Sequence, residues 1–514
     1  MSKFFKGTLI LLLAGFITRV LGFINRIVIA RFIGEDGVGL YMMVYPTMIL
    51  VVTITQLGLP VAISKNVAEA EAEGNLPKIK SILVVSLSIT LGLTILFTPA
   101  LFLLAPYLSK TLFTDERTLL PLLAVTPIIP IIAISSVLRG YFQGRQNMKP
   151  AAISQVIEQV VRIALIAALT KAFLPYGIEY AASGAMLASV LGELASLIFL
   201  LASFKWKKSF QLRKKFFQYV HKGRSTFNEL MEVALPTTGS RMIGSIAWFI
   251  EPIVVAHSLA IAGISAINAT KQYGVLTGFA LPLLMLPSFF TQSLSTSLVP
   301  AISEAKANNH YKTIDRLLQQ ALKFTFLTGG LAIVVLYVLA EPLMNVMYGS
   351  SKGTSFILVM APFFILNYYQ GPLQATLQAL NLARAAMINS FIGAFVKTAL
   401  IFILASRPEF GIYGVAIALV VGFVLVTLLH FATIVKSIGF SFILIDYIKM
   451  IIIILLTGFM GTYFLDVITF PSLVLKIIIT TCMISIFYLV LIFIFRLMSK
   501  DDLKKIPWIG SFFS

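Results

Sequence analysis

Charge is what this sequence has least of. Lys, Arg, Asp and Glu make up only 12% of its 514 residues, about half the share that solvates the surface of an ordinary soluble protein. That deficit excludes the multidomain soluble enzyme that length alone would suggest. The single cysteine, Cys482, excludes an intrachain disulfide and the zinc sites built from several thiolates. Four histidines, His221, His257, His310 and His430, are scattered without metal-ligand spacing. No glycine-rich phosphate loop ends in Lys-Ser or Lys-Thr, so ATP hydrolysis is not expected. Paired carboxylates beside a base or nucleophile are also missing, and with them the usual grounds for an enzyme. The reading is therefore of a non-enzyme with no cofactor, coupled at most to a monovalent cation or to the membrane potential.

Apolar residues fill the place of the missing charge. They account for 58% of the chain, and mean hydropathy is +0.94. A bilayer-crossing helix needs about 20 mostly apolar residues, and such runs follow one another almost end to end. Fourteen spans are predicted, roughly 7–30, 39–63, 81–106, 118–141, 150–173, 180–203, 230–256, 275–300, 321–347, 356–380, 385–406, 412–434, 447–466 and 473–497. Lys3 and Lys6 precede the first run as in a signal peptide, yet no small-x-small cleavage site stands out and the apolar pattern continues past Arg19. The first run is read as an uncleaved span. The expected fold class is an all-α polytopic membrane protein.

Bases outnumber acids, 40 to 21. In a soluble chain this would raise the question of nucleic acid, but here position explains it. With both termini in the cytoplasm, 27 bases fall on the cytoplasmic side, 8 on the opposite side, and 5 inside spans: Arg19, Arg26, Arg162, Arg241 and Lys397. That asymmetry is the positive-inside pattern, so no nucleic-acid partner is expected. The richest segment, 204–229, carries eight bases, and through them it could also touch anionic lipid headgroups.

The chain also repeats itself. Leu59-Pro60-Val61-Ala62-Ile63-Ser64-Lys65 is echoed by Leu298-Val299-Pro300-Ala301-Ile302-Ser303-Glu304, and Leu138–Ile166 lies on Leu373–Ile401 without a gap, matching Arg162 with Lys397. Thr18-Arg19-x-x-Gly22 mirrors Ser240-Arg241-x-x-Gly244. An even number of spans per repeat keeps both halves in one orientation. The expected organisation is a first lobe over 1–203, a basic linker over 204–229, a second lobe over 230–434, and two appended spans with a tail over 435–514. Parallel repeats of this kind build alternating-access transporters with a site between the halves.

Ionisable residues deep in a span are costly and mark candidate sites. Gly15, Arg19, Gly22 and Arg26 fall on one helical stripe, with Asn25 beside it. Guanidinium groups bind phosphates bidentately and never lose their charge, so two arginines interleaved with glycines suit a phosphate or pyrophosphate. The alternative is that Arg26 snorkels and Arg19 pairs internally. In the seventh span Arg241, Gly244, Trp248 and Glu251 repeat the theme, with Arg241 expected to face Arg19. Glu251 reads as a counter-ion to the arginines, a cation or proton site, or part of a structural network. Pro252, Pro282 and Pro287 are candidate bending points. Glu158 and Arg162 have the spacing of an intrahelical ion pair. Glu193 and Lys397 are single signals of a lined cavity.

The run from Lys6-Gly7-Thr8 through Thr18-Arg19-x-x-Gly22-x-x-Asn25-Arg26 to Ala30-Arg31-x-x-Gly34-x-x-Gly37-x-Gly39-x-Tyr41 resembles the polysaccharide-exporter branch of the multidrug/oligosaccharidyl-lipid/polysaccharide exporter superfamily. So does Leu138-Arg139-Gly140-Tyr141-Phe142-Gln143-Gly144 with Met148-Lys149-Pro150. The resemblance implies two six-helix lobes around a central cavity plus two extra helices, which form a lipid-tail groove in some relatives. It implies a flippase for an undecaprenyl-pyrophosphate-linked peptidoglycan precursor resembling lipid II, serving spore cortex synthesis. Its expected partners are that lipid-linked precursor, membrane lipids and proteins of wall synthesis. First-span arginines and one early in the second lobe line the cavity of related flippases, which carries over to Arg19, Arg26 and Arg241. Asn25 stands where an acidic partner of Arg26 would be looked for. The rivals are a cation-coupled multidrug extruder of the same superfamily and a non-transporting scaffold of the wall-synthesis machinery.

Overall fold

The computed structural model describes residues 3–207, 216–221, 223–439 and 444–497. Most of the basic linker's centre (208–215 and 222) and the tail from 498 therefore lie outside the described residues. Among those described, every regular element is helical. An apolar chain in hydrocarbon must satisfy each backbone N–H and C=O internally, and a helix does this within one segment.

Packing divides the chain into two compact units, Met1–Gly278 with Ile401–Ile412, and Phe279–Leu400 with Tyr413–Ser514. The first unit holds α1 (Lys3–Gln56), α2 (Leu59–Ala72), α3 (Leu76–Tyr107), α4 (Leu119–Val125), α5 (Ile128–Gly144), α6 (Met148–Phe173), α7 (Ile178–Lys207), α8 (Phe216–His221), α9 (Arg224–Ile261) and α10 (Ala266–Gly274). In the second are α11 (Leu281–Met285), α12 (Ser288–Ala307), α13 (Tyr311–Val338), α14 (Ala340–Tyr348), α15 (Thr354–Met360), α16 (Phe364–Ala379), the greater parts of α17 (Ala383–Ala405) and α18 (Gly411–Ile438), α19 (Leu444–Val467) and α20 (Leu473–Ile494). The packing seam falls near Gly278, a division by contacts and separate in kind from the sequence-repeat boundary expected at 204–229. Helix α9 packs along α1 and α2 and so groups with the helices before it.

Twelve helical stretches among the described residues are long and apolar enough to cross a membrane, or thirteen if a bent pair counts as one span. The fourteen expected from hydropathy are not reached by this count. The difference sits in the first stretch, Leu13–Ala72, which runs 60 residues yet counts once. At 1.5 Å per residue it would extend about 90 Å, several times the roughly 30 Å of bilayer hydrocarbon. Helix α1 leaves helical geometry at Gly34 (φ 60°, ψ −167°). The bent pair turns by 54° between Met285 and Ser288, at the predicted bending point Pro287. Pro252 does not interrupt α9, which runs through it and through Pro236.

Local sequence sets the helix ends. The Asn75 side chain caps α3 by accepting from the Lys78 N–H at 3.0 Å, with Pro77 in the first turn where its missing donor costs nothing. Between α1 and α2, Gly58 takes a left-handed conformation (φ 59°), and a Cβ there would lie 2.6 Å from the Ala234 carbonyl oxygen of α9. Only glycine fits both demands.

The first unit buries Leu59, Ile63, Val67, Leu83, Tyr141 and Leu200 in one cluster. The second buries Leu318, Leu322, Leu373, Leu377, Ile453 and Tyr488 in another, so the appended helices α19 and α20 share a core with α13 and α16. Near the start of α4 a polar clamp ties the segment before it to α1 and α10. Arg117 contacts Asp115 at 2.8 Å and Asp36 at 3.0 Å, and the Thr270 hydroxyl donates to Asp115 at 2.8 Å. Burial raises the Asp115 carboxyl, but bonds from Arg117 and Thr270 outweigh it and hold the group below its usual range.

Candidate substrate-binding site

All five primary candidates from the sequence lie in the first unit, on α1 and α9. Arg19 is exposed, Arg26 half-buried and Asn25 buried. The glycines of the stripe do what their spacing implies, since a Cβ at Gly15 or Gly22 would meet nothing within 4 Å. Arg241 and Gly244 are exposed on α9, and Gly244 also faces open space. Among the described residues neither Arg26 nor Arg241 has a carboxylate within ion-pair distance. The Asn25 carboxamide oxygen is buried without a hydrogen-bond partner among the described residues.

Glu251 is 5% exposed, and the buried Tyr273 hydroxyl of α10 donates to its Oε1 at 3.3 Å. Between Arg241 and Glu251, Trp248 meets the ring of Tyr45 edge-on at 5.6 Å. Tyr45 in turn stacks on Tyr41 at 5.6 Å. Farther along the same two helices, Thr53 of α1 and Ser245 of α9 share a hydroxyl hydrogen bond of 3.0 Å. Helices α1 and α9 thus join through aromatic and hydroxyl contacts.

The secondary candidates of the first half belong to one network. Arg162 pairs with Glu158 along α6, as the spacing predicts. Glu158 also accepts from Arg139 of α5 at 3.3 Å, and the same Arg139 Nη2 donates to Glu193 of α7 at 3.0 Å and to Ser196 at 2.9 Å. Two bases and two acids cancel, which lets Glu193 lie 2% exposed at low cost. Helix α7 comes this close because residue 192 is glycine: a Cβ there would stand 2.8 Å from the Glu158 carbonyl oxygen. Lys397, the repeat mate of Arg162, lies in the second unit, with its stem packed at Gly422.

Arg139 was not a sequence candidate. It stands near the C-terminal end of the fourth predicted span, where it reads as one more base of a connecting loop, and its partner Glu193 is 54 residues away. Tyr41, Tyr45 and Tyr273 were missed as well. A tyrosine in an apolar run carries no distinct signal until its partner helix is known.

The fold and these residues define a class: an all-helical, multi-pass membrane protein with ionisable residues on its span helices. The family model described as polysaccharide biosynthesis protein matches residues 4–306, and a second, MatE, matches 276–403. The chain belongs to the polysaccharide biosynthesis protein family. It is 58% identical over 510 residues to stage V sporulation protein B of Bacillus subtilis (strain 168), covering 99% of this chain and 98% of that one. To the lipid II flippase MurJ of the same organism it is 25% identical, over 90% of this chain and 87% of the other. Among solved structures, lipid II flippase MurJ in an inward closed conformation superposes with a TM-score of 0.69 at 18% identity, covering 93% of this chain and 99% of that one. An inward-facing multidrug resistance MATE family transporter gives 0.67 at 17%, covering 82% and 94%. Of these relatives, MurJ is a lipid II flippase and the MATE family protein a multidrug resistance transporter.

Proposed function

We propose that the protein flips an undecaprenyl-pyrophosphate-linked peptidoglycan precursor, resembling lipid II, across the cytoplasmic membrane by alternating access, in the synthesis of spore cortex. The observation that carries this reading is the pair of arginines, Arg26 and Arg241, held on span helices of one unit with no carboxylate within ion-pair distance among the described residues. A cation in a membrane protein without such a partner suits an anionic ligand. Arg19 lies on the same stripe as Arg26 and extends the positive wall. A pyrophosphate offers enough oxygens to engage more than one guanidinium, and charge-assisted bonds contribute roughly 1.5–3 kcal/mol each. The polyprenyl tail stays in the bilayer, so only the headgroup needs a polar passage, which removes the cost of moving its charge through hydrocarbon. Glu251 is assigned as the resting counter-ion, steered by Tyr273. Both termini are assigned to the cytoplasm on the charge asymmetry, and wall-synthesis proteins remain proposed partners.

The second reading, a cation-coupled multidrug extruder, draws on the MatE match at 276–403. Cationic drugs would need acids at the site. Glu158 and Glu193 are already engaged by Arg139 and Arg162, which favours the anionic substrate. The energy source is proposed to be the membrane potential. An inside-negative potential drives an anion outward by about 2.3 kcal/mol per charge per 100 mV, without any bound ion. The test is a purified vesicle system carrying fluorescent lipid II, with the accessibility of its headgroup followed by an impermeant quencher. Translocation that needs the protein and accelerates with an imposed inside-negative potential supports the reading. No protein-dependent change in accessibility under either condition overturns it.

A further inference from the structure

The geometry points to a sugar-binding platform made by Trp248, Tyr45 and Tyr41, beside the arginines, that recognises a pyranose ring of the headgroup. This inference rests on the lipid-pyrophosphate reading and adds to it the part of the headgroup that the arginines cannot read.

Three observations carry it. First, the rings form a continuous ladder from α9 to α1, with two centroid steps of 5.6 Å each. Exposure rises along it, from buried Tyr41 through half-buried Tyr45 to Trp248 at 36%. One end of the ladder is anchored in the protein and the other offers a face.

Second, that face belongs to a charged stripe. Arg241, Gly244, Trp248 and Glu251 are spaced to share one side of α9. Ionisable side chains within a span turn toward protein or a water-filled cavity rather than toward lipid, so an aromatic residue between an arginine and a glutamate on that side is placed for a polar ligand. A lipid-facing Trp in a belt at the headgroup level would not share its stripe with a buried Glu. The gap at Gly244, where a Cβ would meet nothing within 4 Å, leaves space one turn from Trp248 toward Arg241.

Third, the spacing fits the chemistry. Arg241 and Trp248 are about two helical turns apart, roughly 10 Å along the axis. That is the scale on which a phosphate held by a guanidinium and a sugar attached to the same pyrophosphate are separated. A pyranose has one face of axial C–H groups, which is apolar, and a rim of hydroxyls. An aromatic ring with a polar handle matches both features, and the rim hydroxyls find the Thr53–Ser245 pair between the same two helices, with Ser245 one turn from Trp248. Arginines then hold charge, and the ladder selects a glycan over a bare polyprenyl pyrophosphate.

The experiment compares two soluble probes on the detergent-solubilised full chain: geranyl pyrophosphate, and geranyl pyrophosphate bearing the N-acetylglucosamine–N-acetylmuramic acid disaccharide. The native protein is expected to bind the disaccharide probe at least tenfold more tightly. Trp248→Ala is expected to abolish that preference while leaving geranyl pyrophosphate affinity within about twofold, and Tyr45→Ala to reduce the preference several-fold. Equal preference in Trp248→Ala and native protein overturns the platform. So does equal binding of the two probes by the native protein, and then the lipid-pyrophosphate reading still stands. Binding of neither probe counts against that reading, and with it the platform. As a check independent of folding changes, Trp248 is left as the one tryptophan by Trp206→Phe and Trp508→Phe. Its fluorescence should be quenched by acrylamide and shielded by the disaccharide probe. Quenching by brominated acyl chains alone, unaffected by the probe, would place Trp248 against lipid and overturn the inference.

Discussion

Arg139 shows how one side chain can decide whether a buried acid is tolerable. It donates to Glu158, Glu193 and Ser196 together, so its loss leaves Glu193 without that partner and nearly sealed from water. Breaking a buried pair from one side costs about 3–5 kcal/mol. Arg139→Met should therefore lower the thermal unfolding midpoint in detergent markedly, whereas Arg139→Met combined with Glu193→Leu should recover most of the loss. If the double variant is as unstable as the single one, the network is not what holds Glu193. Asp115 makes a second case at this scale. Its carboxyl is held below the usual range by Arg117 and Thr270 against the opposing effect of burial. A group depressed in the folded state stabilises above its unfolded value, about 3.9, and loses that contribution as pH falls through the folded value. Thermal unfolding of native protein and of Asp115→Asn should accordingly differ most near pH 7, with the gap narrowing progressively as pH falls below about 4. A gap that does not narrow with acidification would contradict the ion clamp.

Helix packing around the site follows from small residues more than from apolar pattern. Gly192 lets α7 lie against the α6 backbone at Glu158, and an added Cβ would be 2.8 Å from that carbonyl oxygen. Gly244 sits on a span too, but faces open space. Gly192→Val should cost roughly 1–3 kcal/mol by overpacking and loosen the Arg139–Glu193 contact. Gly244→Ala should leave stability unchanged or slightly raised, because alanine is the better helix former. Matched unfolding curves for the two variants separate the roles; equal losses would refute the assignment. Hydropathy made the helices themselves legible, because each run had to satisfy the length rule for a bilayer. The break it placed between the first two runs coincides with Gly34, where α1 leaves helical geometry, but it gave no direction for the chain beyond it, since an apolar pattern records burial and not backbone direction. The stripe Gly15, Arg19, Gly22, Arg26 was legible for a different reason, that its meaning lies within one helix. Arg139 with Glu193, and Tyr45 with Trp248, are pairs made between helices far apart in sequence. No local period encodes them.

At the scale of the whole molecule, the chain reads as a membrane protein because it cannot be anything else: 58% apolar residues and 12% charged ones leave too little polar surface for water. The few ionisable groups left inside the spans then carry most of the information about function. In the first half the acids Glu158 and Glu193 are neutralised by Arg139 and Arg162, and what remains is positive. That distribution links the sequence repeat, the open glycine faces and the proposed anionic substrate. It predicts that transport depends on the arginines as a set. The most direct measurement is protein-dependent flipping of fluorescent lipid II in vesicles reconstituted with Arg19→Ala, Arg26→Ala or Arg241→Ala, each checked for normal insertion and unfolding temperature. Each alanine variant is expected to reduce the flipping rate at least tenfold, with lysine at the same position restoring it only in part because the planar fork is lost. Native rates in all three alanine variants would contradict the account.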